Sequence, residues 1–230
     1  ASLGNLVKGY GYLALGNGMG ICAGLLMVLV LAKVVLTFSH AKKGLEDPIV
    51  ASVAPTFTMA LMVLCTYLLQ IDAIASYVKY LWFVVILIHY GLMALFTFRF
   101  LIKPSVKWEH LYPSWFIVYV GLGVVAVTSG SFSPVVGQVN FWIGLFTYLV
   151  LLPFIIYRVF KVQNMPDPTL PLITIIAAPG SLELTGYLKA FDHPQFSLVL
   201  LLLVLSQVLY GFIWTRIIKL FSLPFYPSYA

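Results

Sequence analysis

Apolar stretches alternate with short polar connectors along almost the whole chain, near positions 18–40, 50–70, 77–102, 113–131, 137–160, 169–188 and 196–221. At about 1.5 Å of rise per residue, some 20 helical residues cross the roughly 30 Å hydrocarbon core of a bilayer. The pattern therefore predicts seven spanning helices. Strands of a membrane barrel would be shorter and would alternate polar and apolar positions with period two, and no such alternation occurs.

The spans are of two kinds. On a helical wheel of the 169–188 stretch, Ile176, Pro179, Gly180, Glu183, Gly186 and Tyr187 share one face, which is kinked, small and polar. In the 50–70 stretch Ser52, Pro55, Thr56, Met59 and Thr66 share a face, and in 113–131 Ser114, Val118, Gly121, Val125 and Thr128 do. The intervening stretches, 80–102, 139–160 and 198–220, are apolar nearly all round, as lipid-facing helices are. A carbonyl freed by an intramembrane proline is tolerated where protein or a water-filled cavity satisfies it. The kinked helices are thus expected to line a pathway, as an inner ring with the greasy helices outside.

The spacing suggests a repeat. Basic clusters recur at Lys42/Lys43, Arg99/Lys103, Arg158/Lys161 and Arg216/Lys219, with 59 positions from Arg99 to Arg158 and 58 from Arg158 to Arg216. Pro55, Val118 and Pro179 follow one another at 63 and 61 positions. A period of about 60 residues fits one helical hairpin of two spans. Extrapolated, it predicts five hairpins, three complete here and one cut at each end. The chain would then be a single transmembrane domain over 1–230, holding helices 2–8, the end of helix 1 and the start of helix 9.

Composition narrows the class. The 230 residues are 62% hydrophobic and 9% charged, with mean hydropathy +1.03, whereas soluble domains carry about 25% charged residues. The net charge of +6 is a topology signal, with no nucleic-acid partner expected. Nine of the 13 lysines and arginines follow the second, fourth, sixth and eighth helices, which places those loops in the cytoplasm by the positive-inside rule. Cys22 and Cys65 both sit in apolar helices and suggest neither disulfide nor metal site.

Candidate chemistry is sparse. Glu183 is the one carboxylate well inside a span, and such a charge costs about 2.5–3.5 kcal/mol on insertion scales. It either faces a cavity or reaches the interface or a neighbouring helix. If it faces an anion pathway it holds a proton or couples one to a dicarboxylate, because a permanent anion would repel the cargo. Pro55 and Pro179 either kink a packed helix or line the pore. Ser52 and Thr56 offer hydroxyl donors to a passing anion, and Tyr119 follows Val118 as Thr56 follows Pro55. The expected lining is Ser52, Pro55, Thr56, Met59, Val118, Tyr119, Gly121, Pro179, Gly180 and Glu183. Lys33 snorkels to the interface, and His89 bonds a neighbouring helix. No phosphate loop, His-x-x-x-His, Cys-x-x-Cys or Ser–His–acid set is present, so neither enzyme chemistry nor a cofactor is expected.

Six segments carry a family resemblance: Ala1-Ser-Leu-Gly-Asn-Leu6, Val53-Ala-Pro-Thr-Phe57, Tyr112-Pro-Ser-Trp-Phe116, Leu151-Leu-Pro-Phe-Ile-Ile-Tyr-Arg158, Ala177-Ala-Pro-Gly-Ser-Leu182 with Gly186-Tyr-Leu188, and Pro224-Phe-Tyr-Pro-Ser-Tyr-Ala230. In this order the chain resembles the tellurite-resistance/C4-dicarboxylate transporter (TDT) family, related to the slow-type anion channels of plant guard cells. That resemblance implies ten helices in five hairpins around a central pore, odd-numbered helices lining it, and a homotrimer in the cell membrane. It implies small anions or C4-dicarboxylates as cargo, by channel or by proton-coupled export of malate or oxyanions such as sulfite and tellurite. Where the family has an inner proline, this chain has Val118, which predicts a weaker kink. The family's gating phenylalanine falls beyond Ala230.

Overall fold

The computed structural model describes residues 1–102, 108–162 and 165–226, the side chains at 109 and 219 excepted. Lys103, Lys107 and the expected start of another helix at 227–230 lie outside the described residues. Every element among the described residues is helical. Six helices are long and apolar enough to cross a membrane, at Leu13–Leu36, Pro48–Leu68, Asp72–Ile102, Pro134–Val162, Asp167–Ala190 and Phe196–Ile218. The seventh expected span, Trp115–Ser129, is a shorter apolar helix of about 22 Å, less than the hydrocarbon thickness. By contact the chain forms two units, Ala1–Leu92 and Met93–Ala230.

In the first unit, α1 (Ser2–Gly9) and α2 (Leu13–Leu36) form a tight hairpin. The turn runs through Gly11 at φ +90, a conformation that costs glycine nothing. The helices approach so closely that a Cβ on Gly4 would lie 2.8 Å from the Gly16 carbonyl oxygen, and one on Gly16 2.6 Å from that of Gly4. After α2 the chain turns into α3 (Phe38–Gly44), which carries Lys42 and Lys43. Next comes α4 (Pro48–Val53), where Pro48 supplies a preset first turn and Asp47 Oδ1 accepts from Ile49 N and Val50 N, each at 2.9 Å.

The α4 helix stops at Val53 and α5 (Thr56–Leu68) resumes three residues later, because Pro55 has no N–H to give and breaks the ladder. The α1–α2 hairpin is fixed on α5 through Tyr67. Its Oη donates to the Ala1 carbonyl at 2.8 Å, its ring packs on Gly20, and Lys8 Nζ lies 3.9 Å from the ring centroid. The unit continues into α6 (Asp72–Phe96). Fully buried Thr58 joins fully buried His89, as expected of that histidine, with Oγ1 and Nδ1 2.7 Å apart. Thr58 Oγ1 also lies 2.7 Å from the Pro55 carbonyl oxygen, so this one hydroxyl ties the break at Pro55 to α6. Thr58→Val removes that partner. The expected cost is about 1–3 kcal/mol of stability, read as a lower thermal midpoint of the purified protein.

In the second unit, a π turn at Thr97–Ile102 ends α6. A broken helix follows: α7 (Trp115–Tyr119), a 3-10 turn at Val120–Leu122, and α8 (Gly123–Ser129). Long α9 (Pro134–Tyr157) opens with proline in its first turn and closes in a second π turn at Arg158–Val162. An 11-residue 3-10 segment at Asp167–Ala177 leads into α10 (Ala178–Ala190), and α11 (Phe196–Phe221) completes the unit. Here α10 packs on α8, α9 and α11, and α8 packs on α9. The seams are lined with glycine: a Cβ on Gly186 would lie 2.9 Å from Ala126 Cβ and 3.2 Å from the Gly123 carbonyl oxygen.

Candidate functional site

The site is built from helices that break where a membrane helix would ordinarily run straight. At Pro179 the missing N–H leaves the Ile175 carbonyl without its α-helical donor. The Ala178 N–H bonds it instead, so the chain arrives at Pro179 as a 3-10 helix. Eleven residues is long for that geometry, which rarely runs beyond three or four residues. At the corresponding place in α7–α8 there is no proline. The break nevertheless occurs, two residues after Val118, with Gly121 and Gly123 in and beside the 3-10 turn. Glycine weakens a helix by about 1 kcal/mol per residue, so the expected weaker kink is a full interruption.

The wheel faces drawn from sequence are largely kept as faces. Ile176, Pro179, Gly180, Glu183, Gly186 and Tyr187 are all buried, and so are Ser114, Val118, Gly121, Val125 and Thr128. In the second unit the Pro179 face turns toward protein. A Cβ on Gly180 would meet Tyr148 Oη at 3.0 Å and Ser206 Cβ at 3.2 Å. Tyr119 is half-buried, its hydroxyl 2.9 Å from Thr97 Oγ1. In the first unit the break separates the expected set. Ser52 and Pro55 are buried, Met59 is half-buried, and Thr56 is exposed. Ser52 donates to the Ile49 carbonyl at 2.8 Å and Thr56 to the Val53 carbonyl at 2.7 Å.

The opposite side of the 167–190 span has a distinct chemistry. Between Pro171 and Gly186 its exposed residues are Thr174, Ala178, Ser181 and Thr185, with no exposed large apolar side chain. Each hydroxyl donates to its own helix, Thr174 to Pro171, Ser181 to Ala178 and Thr185 to Ser181, at 2.7–2.9 Å. These hydroxyls belong to exposed residues, and their oxygens can accept while their protons can rotate toward an anion. The exposed faces of α9 and α11 are the reverse: Val139, Trp142, Phe146 and Phe154 on one, Leu201, Val204, Val208 and Trp214 on the other. Those faces suit lipid, and the hydroxyl stripe suits solvent. Thr174, Ser181 and Thr185 lie outside the lining expected from sequence, although hydroxyls seven and four positions apart are a usable signal.

Residues 13–229 match the family described as voltage-dependent anion channel, SLAC1. The chain belongs to that family. The resemblance drawn from the six segments is thereby borne out, and an all-helical membrane protein is what the SLAC1 family and the six apolar helices together give. The SLAC1-family chain is also similar to two proteins of Methanocaldococcus jannaschii named as uncharacterized transporters. With MJ0762 it shares 23% identity over 169 residues, 66% of this chain and 48% of that protein. With MJ0576 it shares 21% over 174 residues, 68% and 48% respectively. The chain spans about half the length of these curated relatives.

Proposed function

We propose that this SLAC1-family protein passes small anions or C4-dicarboxylates across a membrane, along a conduit lined by the open faces of its broken helices. The observation that carries this reading is the contrast between hydroxyl-bearing Thr174, Ser181 and Thr185 on the broken span and the large apolar side chains on α9 and α11. A helix facing lipid gains nothing from exposed threonine and serine, whereas a pore lining uses such groups in place of the ion's hydration shell.

In this reading Thr56 plays the same part on α5. Pro55, Pro179 and Gly121 act by breaking their helices, and Ser52, Met59, Val118, Tyr119, Gly180 and Glu183 hold the broken segments from behind. In the most apolar stretches of Pro48–Leu68 and Asp167–Ala190, 44% of residues are buried, against 28% for Asp72–Ile102 and 22% for Phe196–Ile218, which supports an inner position relative to those two spans. The segments after the spans, α3 with Lys42 and Lys43 and the π turn with exposed Lys161, face the cytoplasm of a cell membrane, and the assembly is a homotrimer.

Liposomes holding the full-length protein test this. Efflux is measured for chloride, nitrate, malate and sulfite, with and without a pH gradient. Anion flux above that of empty liposomes is expected. Flux of none of them, or of cations in preference, would sink the reading.

A further inference from the structure

Glu183 is fully buried, and among the described residues neither of its carboxyl oxygens has a hydrogen-bond partner. Tyr148 on α9 is equally buried, and its hydroxyl is also without one among those residues. The two side chains interlock across the α9–α10 seam. Glu183 lies against Gly144, one turn before Tyr148 on α9, and the Tyr148 hydroxyl lies against Gly180, one turn before Glu183 on α10. On the third side stands α8, where a Cβ on Gly123 would be 2.9 Å from Glu183 Oε1. Gly144 and Gly123 make room for the carboxyl group in the packing, as Gly180 does for the Tyr148 hydroxyl.

The site excludes most ways of neutralising a carboxylate. A hard cation takes six or more oxygen ligands, and no group of His, Cys, Asp or Glu that could hold a metal occurs among the described residues. The neighbour from α8 is Gly123, and Ser206 of α11 lies against Gly180, one turn before Glu183; neither is charged. From α9 the one titratable neighbour is Tyr148. On α10 itself Tyr187 stacks on Phe141 and Lys189 is exposed at the helix end, while Asp167 is exposed at the opposite end of the span. A bare carboxylate so enclosed would be an unpaired charge in a low-dielectric seam. A proton needs no additional room.

We propose that Glu183 is a proton-binding site that latches α10 onto α8 and α9. With the proton bound, the glycine-lined seam closes around a neutral acid. When the proton leaves, a charge without a counter-ion stands between three helices, and α10 loosens at the foot of its 3-10 segment. This goes beyond the proposed conduit, because it concerns packing behind the hydroxyl stripe and holds for any cargo.

The infrared spectrum of the full-length protein in lipid at neutral pH tests it directly. The difference between parent and Glu183→Gln should contain the carbonyl stretch of a protonated carboxylic acid, shifted in D2O, and Glu183→Asp should move that band without deleting it. Absence of the band overturns the proposal. Thermal midpoints between neutral and alkaline pH give a second readout. The parent should lose stability with rising pH, Glu183→Gln should not, and Tyr148→Phe should keep the parent's loss. Parallel profiles for parent and Glu183→Gln, or an alkaline loss abolished by Tyr148→Phe alone, overturn the latch. Anion flux appears in neither readout, so failure here is distinct from failure of the conduit.

Discussion

Gly186→Leu is expected to force α10 away from α8 and to destabilise the second unit by about 1–3 kcal/mol, the usual cost of overpacking. The added Cβ alone would lie 2.9 Å from Ala126 Cβ and 3.2 Å from the backbone oxygen of Gly123. No rotamer relieves this, because rotamers move what lies beyond Cβ, and a backbone oxygen cannot swing aside. Membrane helices gain little from the hydrophobic effect against one another and depend on close packing through small residues. Loss of that contact therefore falls on what holds the unit together. Gly91→Leu is the matched control: Gly91 sits in α6 with nothing within 4 Å of its missing Cβ, and its substitution should stay within about 0.5 kcal/mol. Thermal midpoints in detergent compare the two, and equal midpoints would remove the seam from the account of stability.

The spans were readable because apolar runs of this length have few other uses. The last is expected at 196–221, and α11 runs Phe196–Phe221. The first is displaced, running Leu13–Leu36 against the expected 18–40. The turn at Gly11 starts it early, and at Thr37 the chain turns off into α3, whose lysines suit water. Breaks were readable where proline makes them, since a missing N–H is a property of the residue itself. The break at Val120–Leu122 was not, because its cause is a pair of glycines whose weakness matters only once neighbours hold the turn.

The face of the 167–190 span illustrates a deeper limit. Helical periodicity correctly grouped Ile176, Pro179, Gly180, Glu183, Gly186 and Tyr187 as one face, all buried. It could not say what that face meets, because small residues serve equally to line a cavity and to let helices touch. Only the neighbours decide, and here Tyr148, Ser206, Ala126 and Gly123 lie against it. The more telling pattern was what its opposite face lacks. A lipid-facing stripe would carry leucine or phenylalanine where this one has Thr174, Ala178, Ser181 and Thr185.

That contrast makes the hydroxyl stripe the place where substitution should act most strongly on transport. Ser181→Ala with Thr185→Ala removes two outward hydroxyls and little else, since both now donate only to their own helix, at 2.9 and 2.8 Å. A hydrogen bond to a charged group is worth roughly 1.5–3 kcal/mol. If one such bond is lost at the narrowest point, anion flux should fall by about 10- to 150-fold. The folded state should be little changed, because no buried partner is orphaned. Thr185→Ser, which keeps the hydroxyl, should retain most of the flux. Thr215→Ala is the sharpest control. Thr215 is also exposed and also donates to its own helix, to the Phe212 carbonyl at 2.7 Å, yet it sits on α11 beside exposed Trp214 and Ile218. Its replacement should leave flux in liposomes unchanged, because a hydroxyl turned to lipid meets no anion. Equal flux from the double variant and from Thr215→Ala would show that the stripe on the broken helix is no lining at all.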